Sequence, residues 1–595
     1  MYNFSGLCSR VSAPSVRPRL YAASAALLSV LGGWHFLIPE GASWARLSLA
    51  LPLSALLLYS FFRAVFRLCN PHLSHRQETA AAFLFVFFQS LGFYFDEGRY
   101  LANLGLLPAG LLFVRAALLT PLAAGVLRLL CAGLCRLPAD DDAAAPLRFR
   151  SWAAGFIVIL ALWAIVWLAY WPGLFNYDAW QVDEVLHHSY SKHHPLLHTL
   201  LLGHCYRFGL SRGDANLGVA LYCGFQMAVM AAILSLAFAY LHARGHRVLA
   251  VLALLFYAVF PANPVLALST TKDVLFSGLI LLALVTALLA LRARTGKARM
   301  LLLLCEIPVL TLIQLLRNNA QYAVLLTLPL CLLFIRSRRW QAVLLVFAAG
   351  LVLFKASDAA LSRALSAEPG EIAEALSVPI QQCGRIYTRL SDEGADGKTQ
   401  AAISVYFDMD KAYYRPERSD LMKFYARIGR ENLAGFLKLS GSLWLRYPLE
   451  SLDALLCLTK GAWDIGDTSY AEVYRGVSDR AGVLFTDIKP GYGITLESRL
   501  PALEHAMEQL VSGNAYFRLP LLPLLFSPAV YVWFFALFAL LTQSAPGRMA
   551  APLLPFFAFL LLTILAGPCI IVRYVYPFML CAPVFLSLLP RGETR

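Results

Sequence analysis

The chain has 595 residues, of which 59% are apolar and only 14% are charged. Soluble domains carry about 45–50% apolar and about 25% charged residues, so this composition excludes a soluble globular protein and a disordered one. It indicates a polytopic membrane protein. The net charge of +14 does not indicate nucleic-acid binding, because Lys and Arg cluster in short gaps between apolar runs, as they do in cytoplasmic loops.

Apolar runs recur along the whole chain, and a helix needs about 20 apolar residues to cross a bilayer. If the N-terminus lies in the cytoplasm, the short inner loops and both termini hold 22 Lys and Arg residues, whereas the short outer segments hold 8. The positive-inside rule then places both termini in the cytoplasm. The sequence predicts fourteen spans, near residues 20–38, 47–66, 79–95, 104–133, 152–172, 215–241, 247–266, 274–292, 299–316, 320–335, 339–355, 519–542, 549–566 and 570–589.

The spans and their loops divide the chain into four segments. Residues 1–151 form an N-terminal four-span extension, and residues 152–355 form a membrane core with an outer loop over 173–214. Residues 356–517 combine acidic and basic side chains with turn signals such as DEGADG and stretches of helical periodicity. They predict a folded, mostly helical domain on the extracytoplasmic side. Residues 518–595 hold the last spans.

The predicted outer loop is rich in carboxylates and imidazoles. Asp178 follows the Pro-Gly break after the fifth span, and Asp183 and Glu184 come soon after it. Carboxylates in this position are candidates for a general base, and Asp178 and Asp183 are also candidate ligands for a divalent cation. His194 and His198 have the i, i+4 spacing of a zinc site on one helix face, but HExxH is absent. The alternative is an interfacial loop with polar histidines.

Three further polar stretches lie at the same predicted outer face. Lys272 and Asp273 open a span, and a helix N-terminus attracts phosphate. Arg317 stands between two spans, and a guanidinium group binds phosphate well. Arg573 lies inside an apolar run, where a cation without an anionic partner is costly. The structural alternatives are an interfacial Lys–Asp pair, a tight polar turn and a buried ion pair of Arg573 with a carboxylate.

Together these stretches predict a site for an anionic, lipid-borne phosphate at one membrane face. A loop carboxylate would act as the base, and the cations would hold a phosphate leaving group. The candidate phosphate- and substrate-binding residues are Lys272, Asp273, Arg317, Asn319, Arg573 and Tyr574.

The motifs WPGLFNYDAWQ, HHPLLHTLL, TTKDVLF, LLRNNAQYA and RYVYP resemble those of the C-type (GT-C) membrane glycosyltransferases. More narrowly, they resemble a poorly characterised bacterial family of that superfamily, over about residues 152–590. GT-C enzymes take a sugar from a polyprenyl-phosphate donor at the outer membrane face. The resemblance implies that Asp178 is the acidic catalytic residue and His194 the histidine of the His-Pro pair. Asp178 and Asp183 are five positions apart, where many members have a tighter acidic pair, and Ala179 replaces the expected Ser.

The resemblance therefore implies an all-α, GT-C-like membrane bundle with a mostly helical extracytoplasmic domain, in the bacterial cytoplasmic membrane. The expected reaction is inverting sugar transfer at the outer face, with Asp178 as base and Asp183, Glu184 and His194 completing the catalytic set. The expected cofactor is at most a divalent cation, Mg²⁺ or Mn²⁺, bound by Asp178 and Asp183.

The expected partners are the lipid-linked donor, membrane lipids and a glycan, lipid or protein acceptor, without nucleic acid. Two alternatives stay open. One is a transporter or flippase of lipid-linked saccharides, and the other is a non-catalytic scaffold that acts through the outer domain.

Overall fold

The structure is a computed structural model that describes residues 16–33, 44–65, 73–135, 146–175, 177–467, 491–512, 519, 521–542 and 551–589. These residues form helices joined by turns and loops, with isolated bridges and no β-strand. Seven of the described helices are long and apolar enough to cross a membrane. The predicted all-α class and the multi-pass membrane character are therefore confirmed.

Each of the fourteen predicted spans coincides with an apolar helix, but the helices differ in length. Seven have only 10–17 residues in their apolar part. At about 1.5 Å per residue such a helix covers roughly 15–26 Å, less than the hydrocarbon core of about 30 Å. The number of helices that cross the membrane therefore stays a prediction.

The chain forms two compact units, residues 1–137 with 591–595 and residues 138–590. In the first unit Ser74 caps a helix reciprocally with Gln77, and the buried Glu78 on that helix pairs with Arg128. The cap stabilises the N-terminus of this helix, and the ion pair joins the helix to the one that carries Arg128. The helices of this unit are α1 Val16–Gly32, α2 Trp44–Val65, α3 His75–Asp96 and α4 Leu106–Cys135.

The membrane part of the second unit consists of apolar helices joined by short turns. Pro261 follows the end of one helix and Thr271 occupies the N-cap position of another, although the Thr271 side chain makes no capping hydrogen bond. The backbones of Leu174 and Ser269 pair as an isolated parallel bridge, which ties the outer loop to the turn before Lys272. The long apolar helices are α5 Phe149–Ala169, α8 Ala215–Ala243, α11 Lys272–Arg292, α12 Gly296–Leu316 and α14 Arg338–Ala364. The shorter helices are α6 Val182–His187, α7 Leu196–Ser211, α9 Arg247–Val259, α10 Ala262–Ala267, α13 Ala320–Leu333, α22 Leu522–Phe526, α23 Pro528–Thr542, α24 Leu554–Leu565 and α25 Val572–Ser587.

The described residues of the polar segment 356–517 form short helices around an apolar core, which includes Ile380, Phe407 and Phe436. The segment also bonds to the connection between α24 and α25, because the Ser419 amide donates to the Pro568 carbonyl at 2.9 Å. Its helices are α15 Ser377–Glu393, α16 Gly397–Ser404, α17 Asp420–Lys423, α18 Leu433–Arg446, α19 Pro448–Leu458, α20 Lys460–Trp463 and α21 Pro501–Ser512.

Candidate functional site

Two of the predicted cations, Arg317 and Arg573, meet around one buried carboxylate. Asp273, only 1% exposed, lies in the first turn of α11. Its Oδ1 accepts a hydrogen bond from Arg317 Nη1, and its Oδ2 lies 3.8 Å from Arg573 Nε. Arg317 caps the C-terminus of α12 and Arg573 lies in the first turn of α25. Three helix ends therefore share one ion-pair cluster.

Tyr574 joins the two guanidinium groups. Its ring centroid lies 4.7 Å from Cζ of Arg317 and 5.1 Å from Cζ of Arg573. Each distance is within the range of a cation–π contact. Tyr574 therefore stabilises the cluster through its ring face, a role that the sequence pattern leaves undefined.

His194 connects this cluster to the outer loop. Lys272 Nζ lies 3.1 Å from Nδ1 of His194, which is 3% exposed. A lysine ammonium group is only a donor, so Nδ1 is the acceptor and a neutral His194 carries its proton on Nε2. His194 comes before Pro195, the N-cap of α7, so the prediction that His194 and His198 share one helix face is wrong. These two histidines therefore do not have the i, i+4 helix geometry from which a zinc site was considered in the sequence.

Asp178 lies in the 3₁₀ helix Tyr177–Gln181, directly before α6. Its side chain, like that of Asn176, lies outside the described residues. The helix itself is well anchored, because Ala179 is fully buried and Gln181 is 1% exposed. The burial of these two neighbours therefore fixes the backbone at Asp178 against the rest of the protein.

A buried polar chain anchors this 3₁₀ helix to the turn before Lys272. Thr199 donates to Gln181 Oε1 at 2.9 Å, so the Gln181 amide nitrogen faces His198 Nδ1, at 2.7 Å. His198 Nε2 lies 2.8 Å from the Tyr222 hydroxyl, which in turn donates to Gln226. This order of donors requires neutral His198 with its proton on Nε2.

Gln226 completes the chain at the opposite end. Its amide nitrogen donates to the carbonyl oxygens of Ala267 and Ser269, at 2.9 and 2.7 Å. Gln181, His198, Tyr222 and Gln226 are all nearly or fully buried. A buried network in which each donor has an acceptor rigidifies the parts it connects, here the Asp178 turn and the Lys272 turn.

The other two predicted carboxylates of the loop have separate partners. Asp183 accepts a hydrogen bond from the Tyr492 hydroxyl, and the Tyr206 hydroxyl donates to the Tyr492 carbonyl at 2.6 Å. Glu184 is 5% exposed and accepts from the Ser191 amide at 3.1 Å. Burial raises the pKa of Glu184, and the Ser191 hydrogen bond opposes that rise. Asp183 and Glu184 are therefore held by different partners.

Asn319 does not join the cluster through a described contact. It is exposed in the turn between α12 and α13. Among the described residues no group of three or more His, Cys, Asp and Glu side chains is arranged to hold a metal ion. Because the Asp178 side chain is outside those residues, the predicted ion on Asp178 and Asp183 stays untested.

Sequence reasoning missed the residues that position the site. Gln226 interrupts the apolar stretch ALYCGFQMAVM, and a polar residue inside a span is a signal of function or buried hydrogen bonding. Tyr492 has no comparable signal, because its contact with Asp183 joins residues that are distant in the chain.

The chain belongs to a family of unknown function, DUF6020, whose sequence model matches residues 185–591. The match covers more than half of the chain and contains His194 and the cations of the cluster, but it begins after Asp178 and Glu184. Neither curated proteins nor solved structures give a significant match.

Proposed function

We propose that this chain is a GT-C-type membrane glycosyltransferase, which moves a sugar from a polyprenyl-phosphate donor to an extracytoplasmic acceptor. The observation that carries the proposal is the cluster of Arg317 and Arg573 on Asp273, with the adjacent Lys272 in contact with His194 of the loop that bears Asp178. Guanidinium and ammonium groups make strong, charge-assisted hydrogen bonds to phosphate oxygens. A glycan, a lipid or a protein would supply the acceptor hydroxyl.

In this mechanism the acceptor oxygen attacks the anomeric carbon from the face opposite the phosphate. A carbon–oxygen bond forms as the bond to the phosphate oxygen breaks, with inversion, and the bonding electrons leave on the phosphate. Asp178 takes the acceptor proton. Lys272, Arg317 and Arg573 stabilise the charge that develops on the leaving phosphate.

The other predicted residues would orient the reactants. His194, with its proton on Nε2, would donate to the donor or the acceptor. Asp183 and Glu184 would shape the acceptor side, and Tyr574 would hold the two arginines. A Mg²⁺ or Mn²⁺ ion on Asp178 and Asp183 would add a Lewis acid, with Asp183 also bonded to the Tyr492 hydroxyl.

The proposed topology has fourteen spans in the bacterial cytoplasmic membrane and both termini in the cytoplasm. One geometric relationship supports it. The N-terminus of α11, the C-terminus of α12 and the N-terminus of α25 contact one another through Asp273, so they lie at the same face. The charge distribution assigns that face to the outside, together with residues 356–517.

A flippase would require a polar path near the bilayer midplane. Between α11, α12, α14 and α24 lies a small cavity of about 40 Å³. Glu306, which accepts a hydrogen bond from Thr286, is the one charged residue among its lining side chains, and the rest are apolar. This cavity does not favour the transporter alternative. A non-catalytic scaffold would require neither the cations nor Asp178.

The test is donor turnover in lipid nanodiscs. The purified protein is given polyprenyl-phosphate-linked sugars with membrane extracts as a source of acceptor, and release of polyprenyl phosphate is measured. We expect release by the wild-type protein and by Arg294→Ala, which changes an exposed arginine outside the site, but not by Asp178→Asn. Transbilayer movement of the donor without release would instead support a flippase.

A further inference from the structure

Trp180 is exposed where its neighbours are not. Its side chain is 40% exposed, whereas Ala179 is fully buried and Gln181 is 1% exposed. The 3₁₀ helix therefore buries the residues on either side of the indole and presents the indole outward.

The indole lies beside the cation cluster. Its ring centroid is 5.2 Å from that of His194, in an edge-to-face arrangement, and 6.0 Å from that of His193. His194 in turn contacts Lys272 at 3.1 Å. The His194 imidazole therefore lies between the exposed indole of Trp180 and the ammonium group of Lys272. Lys272 directly precedes Asp273, which binds the arginines.

We propose that Trp180 is the platform on which the sugar ring of the donor binds, an inference that rests on the proposed glycosyltransferase function. A sugar phosphate presents two chemistries side by side, an anionic phosphate and the weakly positive C–H bonds of a pyranose face. The negative face of an aromatic ring attracts those C–H bonds. The Lys272 side of His194 suits the phosphate and the Trp180 side suits the pyranose ring.

The competing explanation is a membrane anchor, because Trp residues are enriched at the membrane–water interface. Two contacts favour the sugar platform. The ring packs against His194, which is 3% exposed and bonded to Lys272, so Trp180 belongs structurally to the candidate site. It also lies two positions after Asp178 on the same 3₁₀ helix, so a sugar on its face would be near the proposed base.

The test compares ligands that differ only in the sugar. Glucose 1-phosphate, galactose 1-phosphate, mannose 1-phosphate and inorganic phosphate are titrated by calorimetry into the full-length protein in nanodiscs. We expect at least one hexose phosphate to bind roughly 3- to 10-fold more tightly than phosphate, the scale of a single aromatic contact. Trp180→Ala should remove that preference without changing phosphate affinity, and Trp180→Phe should keep part of it.

Trp340→Ala is the matched control, because Trp340 stacks on Phe334 at the start of α14, away from the site residues in sequence. This variant should keep the full preference. An unchanged preference in Trp180→Ala, or no preference in the wild-type protein, would overturn the inference while the phosphate site stands. A proportional loss of both affinities with lower thermal stability would identify an interfacial anchor and also overturn it. If the wild-type protein binds none of the four ligands, the proposed function fails and the sugar platform fails with it.

Discussion

Arg573 Nε lies 3.8 Å from Oδ2 of Asp273, a residue 300 positions earlier in the chain. The same carboxylate also accepts a hydrogen bond from Arg317. Asp273 therefore organises two of the three cations that the sequence predicted would bind phosphate, Arg317 and Arg573. A preassembled cluster of this kind holds its donors in place before a substrate arrives, which reduces the reorganisation that binding requires.

The stability of the cluster should depend more on Asp273 than on Arg573. Asp273→Asn leaves the buried Arg573 and the partly buried Arg317 facing a neutral amide, and breaking a buried pair in this way costs about 3–5 kcal/mol. Arg573→Ala leaves Arg317 on the carboxylate, so its loss should be smaller. Thermal unfolding in detergent, followed by tryptophan fluorescence, measures both, with Arg294→Ala as the neutral control. An equal or larger loss for Arg573→Ala would contradict the assignment of Asp273 as the organiser.

Asp178→Asn should lower the rate of sugar transfer without changing the folding of the protein. The amide keeps the shape of the side chain but cannot accept the acceptor's proton, and a positioned base contributes about 10²–10⁴-fold. We expect at least that loss of sugar transfer at normal expression and membrane insertion, measured as initial rates. Unchanged transfer would exclude Asp178 as the base and direct attention to Asp183 or Glu184.

Glu184 should make stability depend on pH. Because burial raises its pKa in the folded protein, the folded state binds the proton more tightly than the unfolded state. This contribution is present below the unfolded pKa and is lost as the pH rises through the folded one. Glu184→Gln removes the charge, so its melting temperature relative to wild type should be higher at pH 8 than at pH 5. A difference in melting temperature that is independent of pH would contradict the effect of burial.

Topology is accessible to cysteine labelling. After the native thiols are replaced, a cysteine at the exposed Asp392 position should react with an impermeant reagent on intact cells, because residues 356–517 are expected outside. A cysteine at the exposed Ser337 position, in a predicted inner loop, should react only after permeabilisation. The reverse pattern would place the cation cluster on the cytoplasmic side and contradict a donor that is used at the outer face.

Local sequence signals predict the helices well and the positioning contacts poorly. An apolar run predicted α11, and the Pro-Gly pair before Asp178 predicted the end of α5, because both are determined by nearby residues. The partner of Arg573 could be predicted only as a type, a carboxylate, because Asp273 is brought to it by tertiary packing. The same is true of Tyr492 and Asp183, which no local pattern relates.

Residues 419–448 have helical periodicity in the sequence, but only part of this stretch is helical in the structure. It forms the short helix α17 and then α18, with residues 424–432 outside both helices. The Arg427 amide in this interval donates to the Tyr406 carbonyl at 2.8 Å. A bond to a distant part of the domain thus replaces a helical one, which periodicity along the sequence cannot predict.

The most direct test of the central claim is an electron cryomicroscopy map of the protein in nanodiscs containing a polyprenyl phosphate. The account predicts phosphate density within about 2.7–3.2 Å of polar atoms on at least two of Lys272, Arg317 and Arg573. Density for the phosphate at a different part of the protein, with both arginines still closed on Asp273, would contradict it. The cluster would then be a structural ion pair.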